Sequence, residues 1–98
     1  FIKIEDNFDY NTLNYKNIFK NKKTSDSFFD TNSQKFDIIY IDGYHYGPQV
    51  YKDCINGWNA LKVNGFLICD DYIWNFYADS KNNPCHAINI FLRKIKSQ

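Results

Sequence analysis

The run Phe36-Asp37-Ile38-Ile39-Tyr40-Ile41-Asp42-Gly43-Tyr44-His45 decides the fold. Its first six residues, 36–41, are mostly apolar and β-branched with little alternation. A strand buried on both faces of a parallel sheet reads this way. The strand ends at Asp42-Gly43, where glycine permits a sharp exit. Gly47-Pro48 follows, and proline suits the first turn of a helix. Val50, Tyr51, Cys54, Ile55, Trp58 and Leu61 then recur at helical spacing as one apolar stripe. The pattern predicts a helix over 48–62, stopped by Asn64-Gly65. Phe66-Leu67-Ile68-Cys69 opens a second strand, predicted over 66–70 and ending at Asp70-Asp71.

The lengths fit a crossover. About 15 helical residues span roughly 22 Å, and six strand residues span roughly 20 Å. The helix therefore returns the chain to its starting edge, and the two strands can lie parallel with a right-handed connection. Asp42 and the Asp70-Asp71 pair then emerge side by side at the carboxyl ends of the strands, the edge where open α/β sheets bind ligands. The fold class expected is α/β, an incomplete Rossmann-like three-layer parallel-sheet domain. Its βαβ core covers about 36–70, with flanking helices.

Outside this core the pattern is weaker. After Asp71 comes an aromatic loop with Tyr72, Ile73, Trp74, Phe76 and Tyr77, punctuated by Asn82-Asn83-Pro84. Ile88, Phe91, Leu92 and Ile95 share one face of a helix predicted over 86–95, with His86 at its start. Residues 1–35 are read as the region of a third strand. Phe1 to Ile4 alternate weakly like the end of a strand, Asn7 to Phe19 could form a short helix, and Ser25-Asp26-Ser27 reads as the loop after a short strand. Phe28-Phe29 opens either a helical turn or an irregular packing segment.

The bulk numbers set limits. The chain has 98 residues, enough for one small domain. It begins with Phe1 and contains no Met, the expectation being a fragment of a longer protein. Lys plus Arg number 12 and Asp plus Glu 11, so the net charge of +1 makes no electrostatic case for nucleic acid. No apolar run approaches the roughly 20 residues of a membrane span. Cys54, Cys69 and Cys85 are odd in number and contain no Cys-x-x-Cys. They read as free thiols acting as small hydrophobes, in a reducing and hence cytoplasmic compartment.

Asp42, Asp70 and Asp71 place three carboxylates on one edge. Anions so crowded repel unless a cation or protons intervene, and carboxylate oxygens suit a hard cation such as Mg²⁺. Neighbouring strand residues point to opposite faces, so Asp70 and Asp71 reach one metal only if the strand has ended. His45, three residues past Asp42, has the pKa range of a general base at neutral pH. Each residue also has a plainer reading. Asp-Gly is a common turn dipeptide, Asp-Asp can be solvated loop, and a lone loop histidine often has no role. Tyr44, Tyr46 and Trp74 could wall a pocket or pack a core.

On these residues the chain resembles the class I S-adenosylmethionine-dependent methyltransferases. One group of that family carries Phe-Asp-x-Ile-x-Ile-Asp-Gly-x-His at its fourth strand, matching residues 36–45. Leu61-Lys-Val-Asn-Gly-Phe-Leu-Ile-Cys-Asp-Asp-Tyr72 is similar to the lead into its fifth strand, whose usual form is Leu-Lys-x-Gly-Gly, apolar residues, then Asp-Asp-Tyr. Ile73-Trp74, Pro84, Ala87-Ile88 and Phe91-Leu92 match one branch, so the resemblance is dense over 36–92. It implies S-adenosylmethionine as methyl donor and a small-molecule acceptor. From the metal-dependent O-methyltransferase relatives it implies Mg²⁺ at Asp42, Asp70 and Asp71, with His45 as base. Asp26 matches the acidic residue near the donor's adenine, and Asp42 also borders the donor.

The chain departs from the family at two points. No glycine precedes Gly43, so the family's donor-holding glycine loop is absent, and Asn64 replaces the first glycine of the usual pair. The expectation is a methyltransferase fragment inactive by itself, its parent an enzyme. The other readings are a non-catalytic Rossmann-like remnant serving as a structural or interaction module, and a carboxylate-rich receiver-like or phosphoryl-transfer domain. The last lacks a suitably placed lysine after Asp71. The methyl acceptor and self-association, such as a homo-oligomer, are left open.

Overall fold

A computed structural model of the chain describes residues 2–97. The first strand, β1, is Phe36–Ile41. It is followed by helix α3, Gly47–Asn59, with Pro48 in its first turn. Strand β2, Leu61–Cys69, then lies parallel to β1. Two helices precede this unit, α1 (Ile2–Thr12) and α2 (Ser25–Thr31). A short 3₁₀ turn at Ser80–Asn82 and helix α4, Pro84–Lys96, follow it. The chain is thus an α/β fold with a parallel two-stranded sheet and flanking helices, an incomplete Rossmann-like arrangement.

The core lies between the sheet and the α3/α4 pair. Val50 and Cys54 of α3 meet Ala87, Ile88 and Phe91 of α4, with Ile41, Leu67 and Cys69 of the sheet packed against them. Gly57 lets α3 approach the sheet closely, since a Cβ there would stand 3.1 Å from Leu67 Cδ1 and 3.5 Å from Ile39 Cγ2. Gly47, at the other end of the helix, lets it approach the Ser80–Asn82 turn, where a Cβ would come within 2.8 Å of the Lys81 carbonyl.

Several elements differ from the sequence expectation, each for a local reason. The strands were expected to be buried on both faces, as in a three-layer domain. Here α3 and α4 cover one face, and Ile38, Tyr40, Phe66 and Ile68 on the other are exposed. The α3 helix stops at Asn59, not 62, because the Ala60 N–H closes back onto the carbonyls of the last turn. Strand β2 therefore starts at Leu61 rather than 66 and ends at Cys69 rather than 70. Asn64-Gly65, expected to stop the helix, lies inside β2. Asn64 takes φ 67° where the register slips between the Phe36–Leu61 and Ile38–Phe66 pairs. The last helix runs Pro84–Lys96 rather than 86–95, because Pro84 and Cys85 form its first turn.

The N-terminal region is the larger correction. No strand forms before Phe36 among the described residues, so the third strand expected within 1–35 is absent there. Ile2 to Ile4 are helical, and Phe1 lies outside the described residues. The helix looked for at 7–19 is instead α1, ending at Thr12. Ser25-Asp26-Ser27 is not a loop but the first turn of α2, because the Thr24 side chain caps it by accepting the Ser27 N–H at 3.1 Å.

Candidate functional site

The parallel register ends with Ile41 beside Cys69. The Asp70 N–H then donates to the Ile41 carbonyl at 2.9 Å, which carries the pairing one residue further and brings Asp70 next to Asp42. Asp71 breaks the alternation by adopting φ 57°, in the left-handed region that aspartate tolerates better than most residues. The strand has therefore ended where both aspartates need it to. One carboxylate oxygen from each of Asp42, Asp70 and Asp71 lies within 4.8 Å of the others. The proton-sharing contact with Asp70, then lost hydration and the charges of Asp70 and Asp71, push the Asp42 carboxyl above its usual range. Tyr40, below this cluster, has its phenol pushed up by lost hydration and by the charges of Asp70 and Asp42.

His45 leans over the cluster. Its Nε2 lies 3.0 Å from Asp71 Oδ2. Its ring stacks on Trp74 with centroids 4.7 Å apart and planes inclined by 24°. The Trp74 N–H donates to the Asp71 carbonyl at 3.0 Å, so the turn that swings Asp71 inward also brings Trp74 back over His45. Phe76 and Tyr77 flank Trp74 at 5.1 and 5.0 Å, and Tyr46 meets Tyr77 at 6.0 Å. The aromatic loop thus forms a wall beside the carboxylates, with Tyr44 and Phe76 exposed.

On the other side of Asp42 opens a cavity of about 830 Å³. Asp26, Phe28, Phe29, Asp42, Gln49 and Asp53 are among the residues that line it. Asp26 accepts from Gln49 Nε2 and from Lys52 Nζ, each at 3.0 Å. These bonds, Gln49's first, hold its carboxyl below the usual range. Asp53 was not singled out in the sequence, although a signal existed. It lies on the buried face of α3, between Val50 and Cys54, where a carboxylate is out of place. The structure shows why it is tolerated: Ser25 Oγ donates to its Oδ1 at 2.7 Å and Gln49 Nε2 at 3.0 Å.

The cysteines are free. Cys54 is fully buried, and its Sγ lies 3.7 Å from that of Cys69. The contact with Cys69, then burial, pushes the Cys54 thiol up. His86 stands in the first turn of α4.

A parallel βαβ unit whose strand ends carry convergent polar side chains belongs with the ligand-binding α/β proteins. The particular family follows from comparison: a family model described as a methyltransferase domain matches residues 6–72. The match covers more than half of the chain, which belongs to that family. No curated protein and no solved structure matches it. No helix among the described residues is long and apolar enough to cross a membrane.

Proposed function

We propose that this methyltransferase domain moves a methyl group from S-adenosylmethionine to a hydroxyl of a small-molecule acceptor, with a divalent metal at Asp42, Asp70 and Asp71 and His45 as general base. One observation carries the reading. The three carboxylate oxygens converge within 4.8 Å, beside a histidine paired to one of them, at the carboxyl ends of the parallel strands.

The donor set fits a hard cation. Oxygen ligands suit Mg²⁺, and the contact with Asp70 and the charges of Asp70 and Asp71 that push the Asp42 carboxyl up are what a bound cation would offset. A bound divalent cation would lower the pKa of an acceptor hydroxyl. The chain's own residues then do the positioning. Asp71 accepts the Nε2 proton of His45, a tautomer assigned from that contact. Nδ1 is left as the basic nitrogen. Trp74 fixes the plane of the ring.

The cavity lined by Asp26 and Asp42 serves the donor in this reading. Its volume of about 830 Å³ falls in the range of small-molecule sites. Asp42 belongs to both the cavity and the carboxylate cluster. Donor and acceptor would therefore meet across one residue, and such alignment supplies much of the rate in a two-reactant step.

Metal titration tests the proposal. Mn²⁺, standing in for Mg²⁺ and followed by electron paramagnetic resonance, is expected to bind the wild type. In the Asp70→Asn/Asp71→Asn variant it should bind at least about tenfold more weakly, the loss of charged ligands being worth more than 1.4 kcal/mol. Equal affinity in the two proteins removes the metal from the mechanism.

A further inference from the structure

The hydrogen bonds around the cavity leave over one oxygen of a buried residue's carboxylate. Asp26 has both carboxylate oxygens engaged, Oδ1 by Gln49 and Oδ2 by Lys52. Asp53 is only 6% exposed, yet both of its hydrogen bonds end on the same oxygen, Oδ1. Among the described residues no donor hydrogen-bonds Oδ2 and no cation pairs with Asp53. Nor is any described side-chain oxygen or nitrogen both sealed from solvent and without a partner, so Oδ2 opens into the cavity. It faces Gly43, where a Cβ would stand 3.8 Å away. That glycine leaves the approach to Oδ2 clear.

A carboxylate taken this far out of water is costly unless its lone pairs are satisfied. Ser25 and Gln49 satisfy one oxygen and fix the orientation of the other. Phe28 and Phe29 add apolar surface to the same cavity, their rings edge to face at 5.2 Å. A ligand matching both features pairs an apolar body, such as an aromatic ring, with hydrogen-bond donors.

We propose that Asp53 is a ligand-binding residue of this cavity, its Oδ2 accepting an N–H or O–H from the nucleoside part of the methyl donor. The inference rests on the donor reading of the cavity given above. It assigns the acceptor role to a helix residue outside the strand-end motifs. Asp26 then shapes the wall through Gln49, which both aspartates share.

Titration calorimetry on the full 98-residue chain, with adenosine and S-adenosylhomocysteine as probes, tests it. Asp53→Asn keeps the size and can keep the Oδ1 contacts while placing an NH₂ where Oδ2 stood. Both probes are expected to bind the wild type and to lose about ten- to hundredfold in affinity in Asp53→Asn, the usual weight of a hydrogen bond to a charged group. Equal affinities overturn the role of Asp53 and leave the donor cavity standing. No binding to the wild type overturns both. Should Asp53→Asn unsettle the fold, the ¹³Cγ resonance of Asp53 in the wild type decides. It is expected to move on adding adenosine, and a resonance that stays put overturns the proposal. Inosine and 2′-deoxyadenosine identify the donor group: an Asp53→Asn penalty that vanishes with the first assigns the 6-amino group, with the second the 2′-hydroxyl.

Discussion

His45 is held from two directions, by Asp71 through Nε2 at 3.0 Å and by Trp74 across its ring face at 4.7 Å. An aromatic pair of this kind is worth about 0.5–1.5 kcal/mol beyond area burial. A double-mutant cycle on His45→Ala and Trp74→Ala, read by chemical denaturation, is expected to return a coupling energy of about that size. A coupling near zero would mean that the stack does not hold the imidazole. The two partners of His45 were not equally legible. Asp42, His45, Asp70 and Asp71 sit at strand ends, and strand ends can be read from an apolar run and the residue that closes it. The stacking partner depends on the φ of 57° at Asp71, a backbone choice that no periodicity reports. Asp53 was hidden differently. Its acceptability on a buried face depends on Ser25 and Gln49, and Ser25 is 28 residues away.

At the level of elements, β1 occupies the residues that its apolar run indicates, because five of its six residues, all but Asp37, are strong strand formers. The N-terminal elements were misread because their local signals are weak and their partners distant. Helix α1 packs against no other element of the described chain. It is tied instead by charge, Lys20 pairing with Glu5 at 2.7 Å and Asp9 at 2.9 Å, and Lys22 with Glu5 at 2.8 Å. The Lys20 hydrogen bond first, then that of Lys22, lowers the Glu5 pKa from 4.5 to about 2. A lowered carboxyl pKa means that the tie is fully present above 4.5 and is lost as pH falls through about 2. The Glu5 carboxyl ¹³C resonance is therefore expected to titrate below the ordinary glutamate range, with the Lys20 and Lys22 amides moving alongside it. Glu5→Gln should abolish the acid response of those two amides. A Glu5 titration midpoint near 4.5 would show that the ion pairs do not form in solution.

Over the whole molecule, stability and chemistry are distributed together. The buried side chains Val50, Cys54, Ala87, Ile88 and Phe91 knit α3 to α4, and the inner face of the sheet closes against them. The carboxylate cluster and His45 project from the ends of these same elements, so the site stands on the most firmly packed part of the chain, as a preorganised site requires. Helix α1 stands apart with exposed Ile4, Phe8 and Tyr10. An isolated helix of 11 residues is marginal in water. Native-state hydrogen exchange should therefore divide the molecule in two. Amides within β1, β2, α3 and α4 are expected to open only with the global transition, and those of α1 to exchange at least about a hundredfold faster, the difference between sub-global and global opening. The Asp70 N–H, bonded to Ile41, reports on the site itself and belongs with the slow set in this scheme. If α1 proved as protected as the strands, it would have a packing partner that its charge ties do not supply. If the Asp70 amide exchanged with the fast set, the carboxylate edge would open independently of the core, and the convergence of Asp42, Asp70 and Asp71 would be only one of its populated arrangements.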